Sequence, residues 1–220
     1  LTFSTTVAPL VQHELVPVFV DVEADTYNID AGLVEAMIGP KTRAMMIPNL
    51  IGNLPEWASL REIADQYELF LVNDNAHALG AKYKGSSQYA AKYADAVTLS
   101  FHPVKVVTSG EGGAIVTNDS FINEKIMQLR THGITKDQAK LKKKNEGPWY
   151  YEMQELGYNY RITDIQCALG ISQIKKIERF VERRREIAQR YHSNINEHPE
   201  FTLPHEHHSV KHSYHLFPLA

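Results

Sequence analysis

Short apolar runs alternate with helical patterns along the first half of this chain. Five runs bounded by Gly, Pro, Asn or Asp predict strands, at 16–22, 43–48, 69–72, 96–99 and 114–116. Asp30 is placed to cap a short helix that ends before Gly39, and apolar residues recur at helical spacing over 55–67. Strands separated by short helices are typical of βαβ units. The pattern therefore predicts an α/β fold with a mostly parallel sheet.

The second half of the chain has a different pattern. Apolar positions from Thr163 onward predict one long helix that runs towards Tyr191. Its second half carries the charge run 182–186, which we interpret as a solvated face or a domain connector. The chain begins on Leu1 in a predicted strand or turn, and 215–220 resembles an interrupted strand, so we expect a fragment of a longer protein.

Composition narrows the classes of function. The chain has 220 residues, of which 43% are apolar, enough for one large domain or one domain and part of another. The formal net charge of −3 gives no basic excess, so neither nucleic acid nor an anionic membrane is the expected partner. No apolar run reaches membrane-spanning length. The single cysteine, Cys167, cannot support a disulfide framework and fits a reducing, cytoplasmic compartment.

Two polar segments follow predicted strands, where an open parallel sheet binds its ligands. NDNAHALG (73–80) follows the third strand and SFHPVK (100–105) the fourth. Desolvation at the end of a buried strand lowers the pKa of a lysine such as Lys105, and makes its amine a nucleophile or Schiff-base partner. With the carboxylate of Asp74 and the hydroxyl of Ser100, it forms the set that pyridoxal phosphate requires. Taken singly, Lys105 would be interpreted as a surface lysine and Asp74 as a cap or turn residue.

Four motifs occur in a fixed order: DNAHALGA at 74–81, SFHPVK at 100–105, GEGG at 110–113 and LGYNYR at 156–161. On these motifs the chain resembles the DegT/DnrJ/EryC1/StrS family of nucleotide-sugar aminotransferases over essentially its whole length. The resemblance implies the aspartate-aminotransferase-like fold of type I pyridoxal-phosphate transferases. It implies a large cofactor-binding domain at 1–182, without its N-terminal segment, and a connector helix with the start of a small C-terminal α+β domain at 183–220.

The resemblance also implies roles for residues at the motif positions. Lys105 is implied to hold the cofactor as a Schiff base and to move the proton between substrate and cofactor. Asp74 is implied to pair with the pyridinium nitrogen, and Ser100 to bind the phosphate. His77 is implied to lie beside the cofactor ring and Phe3 to stack on it. The alternatives are a packed strand-end histidine for His77 and core packing for Phe3.

Two further positions imply a subunit partner and a substrate. Asn159 is implied to reach the phosphate of the neighbouring subunit's cofactor, which makes the enzyme a homodimer with shared active sites. Arg161 is a candidate for the diphosphate of a sugar nucleotide, because a guanidinium fork suits that group. A salt bridge that caps a helix is the alternative for Arg161.

From His77 onward the chain resembles, within the family, the UDP-4-amino-4,6-dideoxy-N-acetyl-altrosamine transaminases of pseudaminic acid synthesis. The similarity lies in THGITKD (131–137), GPWYYEM (147–153) and YNYRITDIQ (158–166). It implies transfer of an amino group, usually from glutamate, to the C4 ketone of a UDP-4-keto-6-deoxy sugar. Such a reaction belongs to the biosynthesis of cell-surface polysaccharides.

Three departures from the family pattern bear on these expectations. Asn73 stands where the family usually has Glu, which we expect to loosen the local hydrogen bonding. The part up to residue 55 is more similar to deoxysugar 3-dehydratases, but these carry histidine in place of the lysine, so Lys105 favours transamination. The family's phosphate-cradling turn precedes Leu1, so we expect the isolated chain to bind the cofactor poorly. A dehydratase, and an inactive truncated paralogue that acts only in association, remain as alternatives.

Two charged clusters have a plainer interpretation. The histidines near the end of the chain lack a strict metal-ligand spacing, so we interpret them as a polar loop and expect no metal site: His205, His207, His208, His212 and His215. The lysine-rich segment 140–144 is interpreted as a solvated, mobile loop with at most a weak attraction for the nucleotide.

Overall fold

The structure, a computed structural model, describes residues 1–195, 198 and 200–220. Its helices are α1 (Ser4–Gln12), α2 (Ala31–Val34), α3 (Trp57–Gln66), α4 (Tyr89–Tyr93), α5 (Ser120–Leu129), α6 (Asp164–Ile174) and α7 (Ile177–Ile195). Its strands are β1 (Ala44–Pro48), β2 (Phe70–Asp74), β3 (Lys82–Tyr83), β4 (Ala96–Ser100), β5 (Gly113–Val116), β6 (Ile134–Thr135), β7 (Glu152–Met153) and β8 (Val210–Lys211). Short 3₁₀ turns follow α2 at Glu35–Met37 and β1 at Leu50–Gly52.

Four strands form the main sheet in the order β1-β2-β4-β5. The pairs β1–β2 and β2–β4 are parallel, whereas β5 turns back and runs antiparallel to β4. The register aligns Pro48 with Asp74 and Asp74 with Thr98, so the parallel strands end at one edge of the sheet. The α/β fold with a mostly parallel sheet is confirmed. Two small antiparallel sheets, β3–β8 and β6–β7, accompany it.

The apolar face of α3 joins the sheet in one core. Trp57, Leu60 and Ala64 recur at helical spacing and are fully buried. They belong to the same buried cluster as Leu71 of β2 and Val97 of β4. Burial of each large apolar side chain stabilises the fold by about 1.5–3 kcal/mol. This packing holds the sheet whose carboxyl edge carries the segments of Asp74 and Lys105.

Four of the five predicted strands are confirmed, and the one at 16–22 is wrong. That segment takes part in an isolated bridge between Val22 and Ile29. Val16 and Phe19 are 86% and 64% exposed, so their apolar side chains do not mark a half-buried strand. The predicted strand or turn at the start of the chain is also wrong, because α1 begins at Ser4.

The single long helix predicted from Thr163 onward is in fact two. Thr163 caps α6 through a reciprocal capping box with Gln166. The first helix ends at Ile174 and α7 begins at Ile177. The intervening residues are two lysines, which are good helix formers, so neither propensity nor apolar spacing marks the break.

The end of the chain is also not the interrupted strand that its pattern predicts. The short strand β8 lies earlier, at Val210–Lys211, and 212–220 lacks regular secondary structure. The predicted boundary between 182 and 183 falls inside α7, and the two-domain division stays a prediction. In the part of the chain that the structure describes, no helix has the length and apolar character needed to cross a membrane.

Candidate active site

The carboxylate of Asp74 lies at the carboxyl edge of the main sheet. Its Oδ2 accepts a hydrogen bond from Thr6 Oγ1 of α1 at 2.7 Å. Its Oδ1 accepts from the backbone N of Ala76 at 3.1 Å and from Thr98 Oγ1 of the neighbouring strand at 3.4 Å. Three donors from three segments therefore orient this carboxylate.

Lys105 lies in the turn that connects β4 to β5. The turn closes on itself, because Phe101 N donates to Gly112 O at 2.8 Å and Ser109 N donates to Phe101 O at 3.0 Å. Val106 and Val107 are buried directly after the lysine and anchor this turn. The lysine is thereby held half-buried at the end of β4, as its sequence context predicts.

Glycine is required where this turn meets the segment that leads into α6. Gly112 has a φ of +147°, and a Cβ there would lie 2.7 Å from Ile162 Cδ1 and from Ser109 Oγ. Gln166 of α6 donates from Nε2 to Glu111 O at 3.0 Å, so the helix holds the turn from outside. Glycine in the GEGG motif therefore allows the close approach of the lysine turn to α6 and the residues that precede it.

Lys105, His77 and Asp74 share one electrostatic environment. Burial lowers the pKa of Lys105, and the nearby Asp74 carboxylate opposes that shift. Burial and the Lys105 ammonium lower the pKa of His77 to about 4, again against the attraction of Asp74. The imidazole is therefore neutral near pH 7, and the lysine releases its proton more readily than a solvated one.

A second imidazole, absent from the predicted site, completes this group. His215 is 9% exposed, and its ring centroid lies 4.3 Å from that of His77. Burial, His77, Lys105 and Arg184 lower the pKa of His215 to about 3. The site thus consists of a carboxylate, a half-buried lysine and two neutral imidazoles. This set offers a nucleophilic amine beside a fixed negative charge.

Comparisons with known proteins identify the family of the chain. The sequence model of the DegT/DnrJ/EryC1/StrS aminotransferase family matches residues 1–220. The chain belongs to this family. It is 36% identical to a UDP-4-amino-4,6-dideoxy-N-acetyl-beta-L-altrosamine transaminase of Campylobacter jejuni over 222 aligned residues, which cover 100% of the chain and 56% of that protein. The expected resemblance to these transaminases is confirmed.

A solved structure and a dehydratase extend the comparison. The chain matches Helicobacter pylori PseC, an aminotransferase involved in the biosynthesis of pseudoaminic acid, with a TM-score of 0.88 and 34% identity, over 99% of the chain and 56% of PseC. The expected aspartate-aminotransferase-like fold is thereby confirmed. A dTDP-4-dehydro-2,6-dideoxy-D-glucose 3-dehydratase of Saccharopolyspora spinosa is 37% identical, over 92% of the chain and 46% of that protein. The chain spans about half the length of these relatives.

Ser100 and Phe3 lie next to the family's lysine and aspartate segments. Ser100 ends β4, and its hydroxyl accepts a long hydrogen bond of 3.5 Å from His102 N. Phe3 precedes α1 and is 55% exposed, so core packing does not explain it. Its carbonyl accepts from Thr6 N at 3.0 Å, which places Phe3 one turn away from a residue that contacts Asp74. Their cofactor roles stay predictions.

Asn159 and Arg161 lie in the exposed segment that precedes α6. Asn159 forms a backbone bridge with Thr131, and the rings of its sequence neighbours Tyr158 and Tyr160 stack on each other. Asn159 and Arg161 are both exposed, and over the described residues no side-chain hydrogen bond joins either of them to the Lys105 group. Likewise, no ion pair within the described chain supports the helix-capping alternative for Arg161. The predicted contact of Asn159 with a neighbouring subunit stays a prediction.

The departure at Asn73 has a visible consequence. Asn49 Nδ2 donates to Asn73 Oδ1 at 2.8 Å and to Asn75 Oδ1 at 2.7 Å, and Trp57 Nε1 donates to Asn49 Oδ1 at 3.2 Å. Among the residues described, the buried Nδ2 of Asn73 has no hydrogen-bond partner. This amide group lies on the core side of β2, and the expected loosening relative to glutamate stays a prediction.

The polar-loop interpretation of the histidines is wrong for two of them. His212 and His215 are buried, and their segment is hydrogen-bonded to the loop after β1 through Ser213 and Leu216. Within the described residues, no group of three metal-binding side chains is present. The charge run 182–186 is likewise not wholly solvated, since Arg184 and Arg185 are half-buried and donate to backbone carbonyls. Nothing in the local sequence marks these long-range contacts.

The lysine-rich segment 140–144 is exposed at its lysines but anchored by Leu141, which is buried. The backbone N–H groups of Lys142 and Lys143 donate to the Glu152 carboxylate at 2.8 and 2.9 Å. These bonds lower the pKa of Glu152 to about 2. The segment is thus attached to β7 rather than simply solvated.

Proposed function

We propose that the whole protein is a pyridoxal-phosphate-dependent aminotransferase acting on a nucleotide-linked keto sugar. The observation that supports this proposal most directly is the half-buried Lys105 amine. It lies close to Asp74 and His77 at the carboxyl edge of the parallel sheet. This is the position where α/β sheets bind ligands. Membership of the aminotransferase family supports the same reaction class.

The residues present fit pyridoxal phosphate. Lys105 supplies an amine with a lowered pKa, and Asp74 supplies a carboxylate whose orientation is fixed by three donors. His77 Nδ1 is buried and has no partner among the described residues, so it is free to bond to a bound group. When bound, the cofactor supplies an aldehyde that condenses with an amine and a ring that accepts electrons from the substrate carbon.

Each residue then has a definite task toward the cofactor. Asp74 would hold the proton on the pyridine nitrogen, and the hydroxyl of Ser100 would donate to the phosphate. Phe3 would pack on the ring, and His77 would lie beside it as a neutral group. Lys105 would hold the cofactor, and its amine would remove and return a proton at the substrate carbon.

The substrate is inferred from relatives, and the donor from the family resemblance. The C. jejuni and H. pylori proteins that resemble this chain act on UDP-linked amino sugars or serve pseudoaminic acid biosynthesis, in the words that describe them. We therefore propose transfer of an amino group, with glutamate as the donor, to the C4 ketone of a UDP-4-keto-6-deoxy sugar. Arg161 is a candidate contact to the diphosphate. A cytoplasmic location stays a prediction that rests on the single cysteine.

We further propose a homodimer in which Asn159 of one subunit contacts the cofactor phosphate of the other. The exposed side chain of Asn159, which no hydrogen bond within the described residues joins to its own Lys105, supports this arrangement. The test mixes Lys105→Ala and Asn159→Ala subunits, each inactive alone. Sharing of sites predicts that activity partly returns in the mixture, because one site of each mixed dimer is intact. Failure to regain activity in demonstrably mixed dimers excludes a shared site.

Borohydride reduction tests the central proposal. The protein is incubated with pyridoxal phosphate, reduced and digested, and the modified lysine is located by mass spectrometry. We expect label on Lys105, loss of label in Lys105→Arg, and no change in Lys92→Arg, which removes an exposed lysine. Label distributed over surface lysines in the whole protein contradicts the assignment. Elimination of water from the sugar, without amine formation, indicates the dehydratase instead.

A further inference from the structure

Residues 210–216, the C-terminal strap, cross the active-site edge of the sheet. Ser213 N donates to Gly52 O at 3.0 Å, and Ser213 Oγ donates to His77 O at 3.2 Å. Leu216 N donates to Ile51 O at 3.1 Å. These bonds flank His215 on both sides, so the strap fixes the backbone from which this imidazole projects.

Helix α7 holds the strap through hydrogen bonds from two arginines. Arg184 Nη1 donates to Tyr214 O at 3.1 Å and to His215 O at 3.2 Å, and Arg185 Nη1 donates to His212 O at 3.0 Å. Tyr214 has a φ of +49°, a left-handed conformation that is unfavourable for a bulky residue. The two arginines thus hold the strap in this strained conformation, and this fixes the position of His215.

The His215 ring lies against His77 rather than against solvent. The two rings are tilted by 48°, and Nδ1 of each is buried without a hydrogen-bond partner in the described part of the chain. The charged groups that act on the pair come from three elements: Asp74 at the end of β2, Lys105 after β4 and Arg184 of α7. The His215 ring therefore shields the His77 ring from water. The His77 ring thus lies in a dry environment next to the Lys105 ammonium.

We propose that His215 is a positioning residue, whose ring holds the His77 imidazole in one orientation beside Lys105. Its catalytic consequence rests on the proposed aminotransferase function, whereas the contact itself does not. Removal of the ring opens one face of His77 to water and frees its rotation. Replacement by Phe keeps a ring of similar shape in contact and removes only the nitrogens.

Proton NMR titration of the His77 ring in the cofactor-free protein tests the contact. In the unmodified protein its pKa is about 4. We expect His215→Ala to move it toward the ordinary value of 6.5, because hydration returns, and His215→Phe to leave it low. His208→Ala, which removes an exposed histidine just before the strap, is the control and leaves it unchanged. An unchanged His77 titration in folded His215→Ala overturns the proposal.

A second measurement covers the case in which His215→Ala does not fold. Ring protons of His77 and His215 in the unmodified protein give a nuclear Overhauser contact if the rings are packed at 4.3 Å. Absence of that contact overturns the proposal without any variant. In the whole protein, we expect His215→Ala to lower kcat about tenfold with little change in KM, and His215→Phe to retain more of the activity. Failure of the aminotransferase assay with a normal His77 response contradicts the proposed function alone.

Discussion

The hydroxyl of Thr6 donates to the Asp74 carboxylate at 2.7 Å and thereby joins the first helix to the end of β2. Thr6 is buried, although neighbouring residues of α1 are exposed. The helix is therefore attached to the site by a hydrogen bond to a charged group, which is stronger than a neutral one. Loss of this bond is expected to change the orientation of the Asp74 carboxylate more than the stability of the sheet.

Replacement of Thr6 by Val tests this connection. Val has a similar shape and lacks the donor, so the carboxylate loses one of its three partners. A hydrogen bond to a charged group contributes about 1.5–3 kcal/mol, so we expect the whole protein to bind pyridoxal phosphate about tenfold more weakly, or worse. An absorbance titration measures this affinity. Thr6→Ser retains the donor and Thr5→Val changes an exposed neighbour, and both should bind normally.

Gly52 is the position where the loop after β1 meets the strap. It has a φ of +96°, and a Cβ there would overlap Ser213 Oγ and lie 3.0 Å from both His215 N and His77 O. We expect Gly52→Ala to cost about 1–3 kcal/mol in the free energy of unfolding, measured with urea. Gly39→Ala is the control, because a Cβ at Gly39 meets nothing within 4 Å. Equal effects of the two substitutions would mean that the strap is not seated on Gly52.

The regular elements of the sheet could be predicted because each has a local signal. Asp30 does cap α2 by accepting from Gly32 N, and Trp57 does begin the apolar face of α3. Val16 and Phe19 show the limit of this reasoning, since an apolar run predicts burial only if another segment covers it. An apolar run does not indicate which other segments of the chain pack against it.

The site could be predicted only where its residues lie in short motifs. Asp74, His77 and Lys105 follow strands that end at one edge, so topology brings them together. Thr6 and His215 reach the same place from the two ends of the chain, through α1 and the strap. No spacing in the sequence relates such distant positions, and His215 carries no signal that separates it from exposed histidines such as His208.

Mild acid should destabilise this fold through its buried histidines. Burial lowers the pKa of His77 to about 4 and that of His215 and His212 to about 3, whereas an unfolded histidine titrates near 6.5. Between these values the unfolded chain binds more protons than the native one, so stability is complete above 6.5 and falls as the pH falls. His212 alone contributes on the order of 1 kcal/mol per pH unit in this window.

Urea unfolding at pH 7.5, 6 and 5 measures that dependence. Tyr214 N donates to His212 Nδ1 at 2.7 Å, and a glutamine at 212 still offers an acceptor but no titration. We expect His212→Gln to flatten the loss of stability between pH 6 and 5, and His13→Gln, at an exposed position, to leave it as it is. A dependence equally steep in His212→Gln would assign the acid sensitivity to other groups.

Asn49 supports the core side of β2, directly behind Asp74. Its side chain accepts from the indole of the fully buried Trp57 and donates to Asn73 and Asn75. Asn49→Ala leaves the indole N–H and the Asn73 carbonyl without partners, and each buried unsatisfied group costs about 1–3 kcal/mol. We therefore expect a loss of at least about 2 kcal/mol in the free energy of unfolding.

The matched control for Asn49 is Asn118→Ala. Asn118 Nδ2 donates to Ala91 O at 2.8 Å in an exposed position, where water replaces the lost bond, so the expected cost is below about 1 kcal/mol. Trp57 fluorescence during urea unfolding reports both variants, because this indole is fully buried in the core. A small effect of Asn49→Ala would mean that the amide network relaxes around the gap, and would contradict a structural role for Asn49 behind β2.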